Sequence, residues 1–438
     1  MKKRNKLKDE SALAEKAAVY SPSSGVRIAV AKTGVKRAVT ITGSFCAGPA
    51  LFPENPMIPL VLAEMLQEGT QKRTKKNLQK KLDSLGASIH FSASGKRFRF
   101  TVTALREHAA KALSILSEEL LFPKFQQEKL ARIQKQFEAG LALEAQNAKT
   151  QALIVFSRNI YPYGNANCSF LTEEKKKFLN SVTIESLKAF HKKFFRGTMY
   201  VAAAGDVEGK RFSRLFQKCF HAWPAEPVFP AVRVQSKKTD IPKKPLLVPL
   251  PGKSSIDVII GKSFSVTKKH PDFYPLILAS RVLGNPGFNG RLMKTVREKL
   301  GLTDGSYAYL SGFADNEEGG LYVWGTFAPQ CINRGLRAIA KESALFLKKG
   351  VLLSEFLEHK QALLGAYALS FATSGGFAGA LLQTLEDEKE ISFLDEYANF
   401  LQSVTLADVN RVIKKYFSPK GTVRVLAGTF PAKGRMVV

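Results

Sequence analysis

The sequence predicts an α+β protein made of two homologous domains. Three observations point there. The chain has 438 residues, too many for one ordinary domain. Its hydrophobic share of 45% is that of a globular chain with cores to bury. Most directly, the sequence repeats itself. Phe178-Leu179-Asn180-Ser181-Val182-Thr183 returns as Phe400-Leu401-Gln402-Ser403-Val404-Thr405, and Lys192-Lys193-Phe194-Phe195 returns as Lys414-Lys415-Tyr416-Phe417. Both pairs are 222 residues apart. A strand pattern follows each copy, at 199–204 and 423–427. The halves also begin alike: Pro59-Leu60-Val61-Leu62-Ala63 echoes Pro275-Leu276-Ile277-Leu278-Ala279. A duplication in fixed order signals two related domains of about 200 residues each. The expected division is a flexible charged N-terminus at 1–18 and a first domain at 19–223. A Pro- and Lys-rich linker follows at 224–253, then a second domain at 254–438.

Taken in order, 26–30 and 38–45 read as strands. Residues 59–70 read as a helix. Leu60, Val61, Leu62, Met65 and Leu66 give it a broad apolar surface, and Gly69 is its stop. A basic run at 71–81 leads to a turn at Leu85-Gly86 and an alternating strand at 88–94. Residues 96–103 alternate in the same way. An amphipathic helix at 107–121 ends before Pro123, and 126–149 reads as one longer helix. In the second half, strands at 306–311 and 321–326 flank a polar hairpin loop at 315–320. One helix closes at 341–349 and another starts over 353–366.

Net charge is +29 and the isoelectric point is about 9.9. Such a chain attracts acidic peptides, anionic lipid or nucleic acid without choosing among them. Cys46, Cys168, Cys219 and Cys331 form no Cys-x-x-Cys pair, which excludes zinc-ribbon and thioredoxin-type sites. Isolated thiols fit a reducing compartment. The basic N-terminus has no apolar core after it, and no run of about eighteen apolar residues occurs. A cytoplasmic protein without a transmembrane segment is expected.

The order apolar helix, Gly69-Thr70, basic helix, Leu85-Gly86-Ala87, strand resembles the zinc-binding region of the pitrilysin/insulinase peptidases. That is the family of the mitochondrial processing peptidase. The resemblance implies two homologous domains, each an antiparallel sheet with helices packed on one face. In that family the helix carries His-x-x-Glu-His, in which the two His bind zinc and the Glu is the general base. Anchored on Gly69-Thr70, the first His falls on Leu60, the Glu on Ala63 and the second His on Glu64. All three chemical groups are missing. The third ligand falls near Leu141, between Glu138 and Glu144, and a lone carboxylate does not make a zinc site.

In the second half, Asn289-Gly290-Arg291-Leu292 and the run from Val296 through Arg297 to Thr303 resemble the family's C-terminal signature. There an Arg and a Tyr seven residues later contact substrate. Arg297 holds the Arg position, Asp304 stands in the Tyr position, and Tyr307 and Tyr309 lie just beyond. Peptide binds in this family as a strand added to a sheet edge. By analogy the edge here contains Ile89, His90, Phe91 and Ser92.

Three readings follow. The first is a non-catalytic subunit or peptide-binding homologue without cofactor. Its partner would be a homologous zinc-bearing subunit or a second copy of itself. The second is an active metalloendopeptidase holding zinc on Glu64 with Glu138 or Glu144. The third is a basic scaffold for anionic surfaces. Other features weigh less. The basic run at 72–81 has no interleaved aromatic residue to stack bases, so no specific nucleic acid is expected. Glu355 and His359 are four residues apart and read as an exposed polar helix face without a third ligand. Gly375-Gly376 lacks the Lys-Ser/Thr of a phosphate loop.

Overall fold

The structure is a computed structural model describing residues 12–23, 25–226, 241–284 and 289–430. Residues 1–11 of the expected loose N-terminus and 227–240 of the expected linker lie outside the described residues. Leu13–Lys16 forms a single 3-10 turn, within the stretch read as loose. The Asp395 carboxylate accepts hydrogen bonds there from the Leu13 and Ala14 N–H groups, at 2.8 and 3.0 Å.

Strands β1 (Ala17–Ser23), β2 (Val26–Lys32) and β3 (Ala38–Phe45) lead to helix α1 (Met57–Met65). A 3-10 turn at Leu66–Glu68 extends α1, and Gly69 at φ 135° ends it, a conformation only glycine takes without strain. Helix α2 (Lys75–Leu85) is N-capped by Thr74 and stops at the left-handed Gly86. Strands β4 (Ser88–Ser94) and β5 (Arg97–Leu105) form a hairpin. Helices α3 (Ala109–Leu121) and α4 (Gln127–Gln146) follow. The single helix expected over 126–149 breaks at Asn147. Its backbone leaves the helical region, and its side chain accepts from the Thr150 N–H to start α5 (Ala148–Ile160). The half closes with α6 (Thr172–Asn180), α7 (Ile184–Phe194), β6 (Met199–Gly205) and α8 (Gly209–Cys219).

The second half runs β7 (Leu246–Pro249), β8 (Ile256–Ser263), α9 (Phe273–Gly284) and a π-type helix at Met293–Lys299. Then come β9 (Ser306–Ser311), β10 (Gly320–Phe327), α10 (Ile332–Lys349), α11 (Leu353–Ser370), α12 (Ser374–Glu386), α13 (Phe393–Ser403), α14 (Leu406–Tyr416) and β11 (Val423–Gly428). The sequence repeat is visible in the details. Thr183 caps α7 and Thr405 caps α14, each through a reciprocal capping box with the residue three positions on.

The chain folds as two compact units. One comprises 1–135, 181–231 and 365–399; the other comprises 136–180, 232–364 and 400–438. The first unit's sheet has the order β1-β2-β6-β3-β5-β4. All its pairs are antiparallel except β2 with β6. A long helical excursion separates those two strands, as a parallel pair requires. One face carries Ile28, Ile41, Phe100, Val102 and Val201, all fully buried. Helices α1, α3 and α8 of the same half pack there. The other face presents Ala29, Ala31, Ala202 and Ala204, whose small side chains let α12 settle on the sheet through Phe377, Leu381 and Leu385.

The second unit repeats the plan with the order β7-β11-β8-β10-β9 and one parallel pair, β7 with β11. Ile256, Val258 and Phe327 face α9, α10 and α14. The opposite face carries Ile259, Val423, Val425 and Ala427, packed against Ala148, Ala152 and Phe156 of α5. Each sheet thus has the expected helices of its own half on one face. Its second face is covered by one helix from the other half of the sequence.

Candidate functional site

The site begins with α1, where the zinc motif would sit. The helix packs against β4, which is the edge of the first sheet. Ala63 is 3% exposed. Leu60 is half-buried and Glu64 points to solvent. Leucine and alanine offer no lone pair to a metal and no base to a water. The remaining acids do not compensate. Glu138 is exposed. Glu144 is engaged by the Thr172 hydroxyl at 2.8 Å and by Lys175 Nζ at 2.9 Å. Among the described residues no group of three or more His, Cys, Asp or Glu is placed to hold a metal ion. The residues present therefore do not fit zinc.

The corner after α1 is held instead by half-exposed cations paired with two buried carboxylates. Glu118 accepts from the Thr70 hydroxyl and from Arg73. Glu68, 4% exposed, accepts from Lys75 at 2.6 Å and Arg132 at 2.5 Å. Burial alone would raise the Glu68 pKa, but the hydrogen bonds and charges of Lys75 and Arg132 outweigh it and hold the carboxyl below its usual range. Glu119 lies beside them. Burial, helped by the charge of Glu118, pushes its pKa up to about 8.

The edge strand presents its two faces unequally. Ile89 and Phe91 turn into the core at 4% and 6% exposure, so their side chains are closed to a ligand. His90 and Ser92 are exposed on the opposite face. That face is polar: Arg99 pairs with Glu386 at 2.9 Å, and the Arg97 guanidinium lies 5.4 Å from the centre of the Tyr200 ring.

In the second unit, Tyr307 and Tyr309 come together on β9, which is again the edge strand. Their ring centres are 6.2 Å apart. Pairing with β10 sets Tyr322 beside Tyr309 at 5.1 Å and Trp324 parallel to Tyr307 at 5.6 Å. Lys149 of α5 places its ammonium 3.8 Å from the Trp324 ring centre, and the indole N–H donates to Asp257 Oδ1 at 2.7 Å. Burial lowers the Lys149 pKa against the pull of Asp257. Burial raises the Asp257 pKa against the Trp324 hydrogen bond and the charge of Lys149. The result is an aromatic deck with one cation on it, beside an open strand edge.

The sequence found Tyr307 and Tyr309 but missed Tyr322, Trp324, Lys149 and Asp257. The alternation Tyr322-Val323-Trp324 was the available signal for the next strand. Lys149 arrives from the other half of the chain, and no local pattern announces it. Arg297 is half-buried on the π-type helix, which is widened by a Leu300 N–H bond to the Thr295 carbonyl at 3.2 Å.

The pair Glu355 and His359 differs from the expected exposed face. Glu355 makes a bidentate contact with Arg291 at 2.8 and 2.6 Å. His359 is only 3% exposed, and burial lowers its pKa. The helix turns this histidine inward, so it is a packed side chain.

Known proteins share this fold. The model of the insulinase family, peptidase family M16, matches residues 60–163, and that of the peptidase M16 inactive domain matches 181–363. The "uncharacterized zinc protease YmxG" of Bacillus subtilis (strain 168) is 22% identical over 415 residues, covering 91% of this chain and 95% of that protein. The "non-peptidase homolog YmxG" of Helicobacter pylori (strain ATCC 700392 / 26695) is 23% identical over 386 residues, covering 85% of each chain. A peptidase M16 inactive domain from Pseudomonas fluorescens superposes with a TM-score of 0.85 at 23% identity, covering 95% of this chain and 99% of that one. The periplasmic protease PqqL from Escherichia coli gives a TM-score of 0.79 at 15% identity, with 96% of this chain on 46% of that one.

Proposed function

The chain belongs to the insulinase (M16) peptidase family, and we propose that within it this protein binds peptide without cutting it. One observation carries the reading. Helix α1 puts half-buried Leu60, buried Ala63 and solvent-facing Glu64 where hydrolysis needs two imidazoles and a base. Without a metal-polarised water, an amide is not attacked at a useful rate. The name of the Helicobacter pylori relative, a non-peptidase homologue, supports this reading.

Peptide adds as a strand to the β4 edge. Main-chain groups of residues 89–92 supply sequence-independent hydrogen bonds, and His90 and Ser92 meet alternate side chains. Tyr307 and Tyr309 on the β9 edge, with Arg297 before them, offer a second peptide contact of the same kind. The partner is a homologous zinc-bearing chain or a second copy. Among the described residues no helix is long and apolar enough to cross a membrane. Four cysteines set far apart in the sequence fit a reducing, cytoplasmic setting.

The test is metal analysis of the purified chain together with cleavage and binding of fluorogenic extended peptides. The expected result is no stoichiometric zinc, no chelator-sensitive cleavage and saturable peptide binding. Binding should weaken when the peptide backbone is N-methylated. Stoichiometric zinc with chelator-sensitive cleavage overturns the reading in favour of substituted ligands at Glu64 and Glu138 or Glu144. Binding that tracks only ligand charge and vanishes in high salt points instead to a basic scaffold.

A further inference from the structure

The second unit contains a cavity of about 1020 Å³ on the sheet face away from the aromatic deck. One wall is the sheet, with Ile260, Leu321 and Val323. The other is α10, where Arg337, Ala340, Ala344 and Lys348 all line the space. Spacings of three and four residues put those four on one stripe of the helix. The stripe is about 16 Å long at 1.5 Å per residue. Its alanines leave room, and a cation stands at each end. Among the described residues that line it, five are cationic (Lys243, Lys262, Arg337, Lys348 and Arg424) and none is Asp or Glu.

The sheet wall carries two cations held in place by hydrogen bonds. Lys262 Nζ donates to the Ser418 and Lys420 carbonyls at 2.9 and 3.3 Å. An ammonium has three donors, so one remains for a ligand. Arg424 is on the neighbouring strand, and its Nη2 donates to the Lys243 carbonyl at 3.1 Å. A pocket of this size suits a small molecule. Apolar walls that carry cations and, among the described residues, no acid call for an apolar chain ending in negative charge.

We propose that this cavity binds one long-chain carboxylate, its chain along the Ala340–Ala344 stripe and its head at Lys262 and Arg424. Charge selects this occupant over the protein's own segments. The linker at 224–253 carries six cations (Arg233, Lys237, Lys238, Lys243, Lys244 and Lys253) against two acids (Glu226 and Asp240), the same sign as the rim. A second copy brings a net charge of +29.

The test titrates the full chain with dansyl-labelled undecanoic acid below its micellar concentration, with hexadecanoate as competitor. The expected result is one saturable site per chain, displaced by hexadecanoate, with the methyl ester of the probe about tenfold weaker. Arg424→Gln should weaken the acid about tenfold and leave the ester unchanged. Ala344→Trp fills the bore and should abolish binding. Ala344 is exposed on a helix surface, so circular dichroism and the melting temperature should stay as in the wild type. Absent saturable binding, equal binding of acid and ester, or binding indifferent to Ala344→Trp overturns the proposal. If Ala344→Trp instead dissociates a dimer and no probe binds, the groove belongs to a second copy and the proposal also fails.

Discussion

Replacing Glu119 with Gln should change how stability depends on pH, by an amount the structure sets. Glu119 is 2% exposed on α3, and its Oε2 has no hydrogen-bond partner among the described residues. Burial first, and then the adjacent charge of Glu118, raises its pKa from 4.5 to about 8. The folded protein therefore keeps a proton there at neutral pH, while the unfolded chain releases it above pH 4.5. A raised pKa contributes stability fully below the unfolded value, and that contribution is lost as pH rises through the folded one. Between those limits the native state binds one more proton, so this group lowers the unfolding free energy by about 1.4 kcal/mol per pH unit. From pH 5 to pH 7 the loss is about 2.7 kcal/mol. Gln has nearly the same shape and no proton to lose. Urea unfolding of wild type and Glu119→Gln at pH 5, 6, 7 and 8 should give curves that diverge, the variant gaining about 2.7 kcal/mol on the wild type between pH 5 and 7. All other titrating groups are common to both proteins and cancel in the difference. Parallel curves would mean that Glu119 ionises normally, and the account of this corner as a sealed, low-dielectric site would be wrong.

Three further outcomes are expected. Thr183→Ala and Thr405→Ala remove equivalent capping boxes, so each should cost about 1 kcal/mol in urea unfolding. A cost at only one of them would break the structural equivalence of the two copies. Asp272, 2% exposed, accepts from Tyr416 at 2.7 Å, Lys415 at 3.0 Å and Arg411 at 2.6 Å. Burial opposes its charge, but those three donors win and hold the carboxyl well below the usual carboxylate range. Asp272→Asn should cost about 2 kcal/mol at neutral pH, since Arg411 and Lys415 are half exposed and stay solvated when the carboxylate is removed. Its stabilising effect is present above the unfolded pKa and lost as pH falls through the folded one. Acid titration of unfolding should therefore show the wild-type advantage shrinking below pH 3.8. Restoring the motif with Leu60→His, Ala63→Glu and Glu64→His should yield a destabilised chain without peptidase activity. The new Glu replaces a residue 3% exposed, and burying an unpaired carboxyl costs about 2 kcal/mol or more. A stable, zinc-dependent peptidase from this triple variant would contradict the assignment of α1 as a packing element.

What could be read from the sequence was whatever one segment states by itself. The alternation at 88–94 marks β4 to the residue, because a half-buried edge strand must alternate. The departure from the family's zinc motif is equally local, since Leu60 and Ala63 are read against it from the Gly69-Thr70 anchor. The duplicated threonines Thr183 and Thr405 cap their helices just where the repeat sets them. Features that depend on a distant partner were hidden. Asn147 sits in a stretch helical enough to pass as one helix, and its extended backbone with the side-chain bond from the Thr150 N–H separates α4 from α5. His359 has the polar neighbours of a surface residue, yet α11 turns it inward. The alanine face of Ala29, Ala31, Ala202 and Ala204 says that some helix covers it, not that α12, some 170 residues later, is the one. The same holds for α5 on the second sheet. The two halves are duplicates in sequence, but neither sheet is sealed by its own half. Residues 19–223 alone would leave the face beneath Phe377, Leu381 and Leu385 open to water. An exposed apolar sheet face of that kind associates or aggregates. The repeat unit of the sequence and the folding unit of the structure are therefore different things, and the exchanged helices α5 and α12 are the reason.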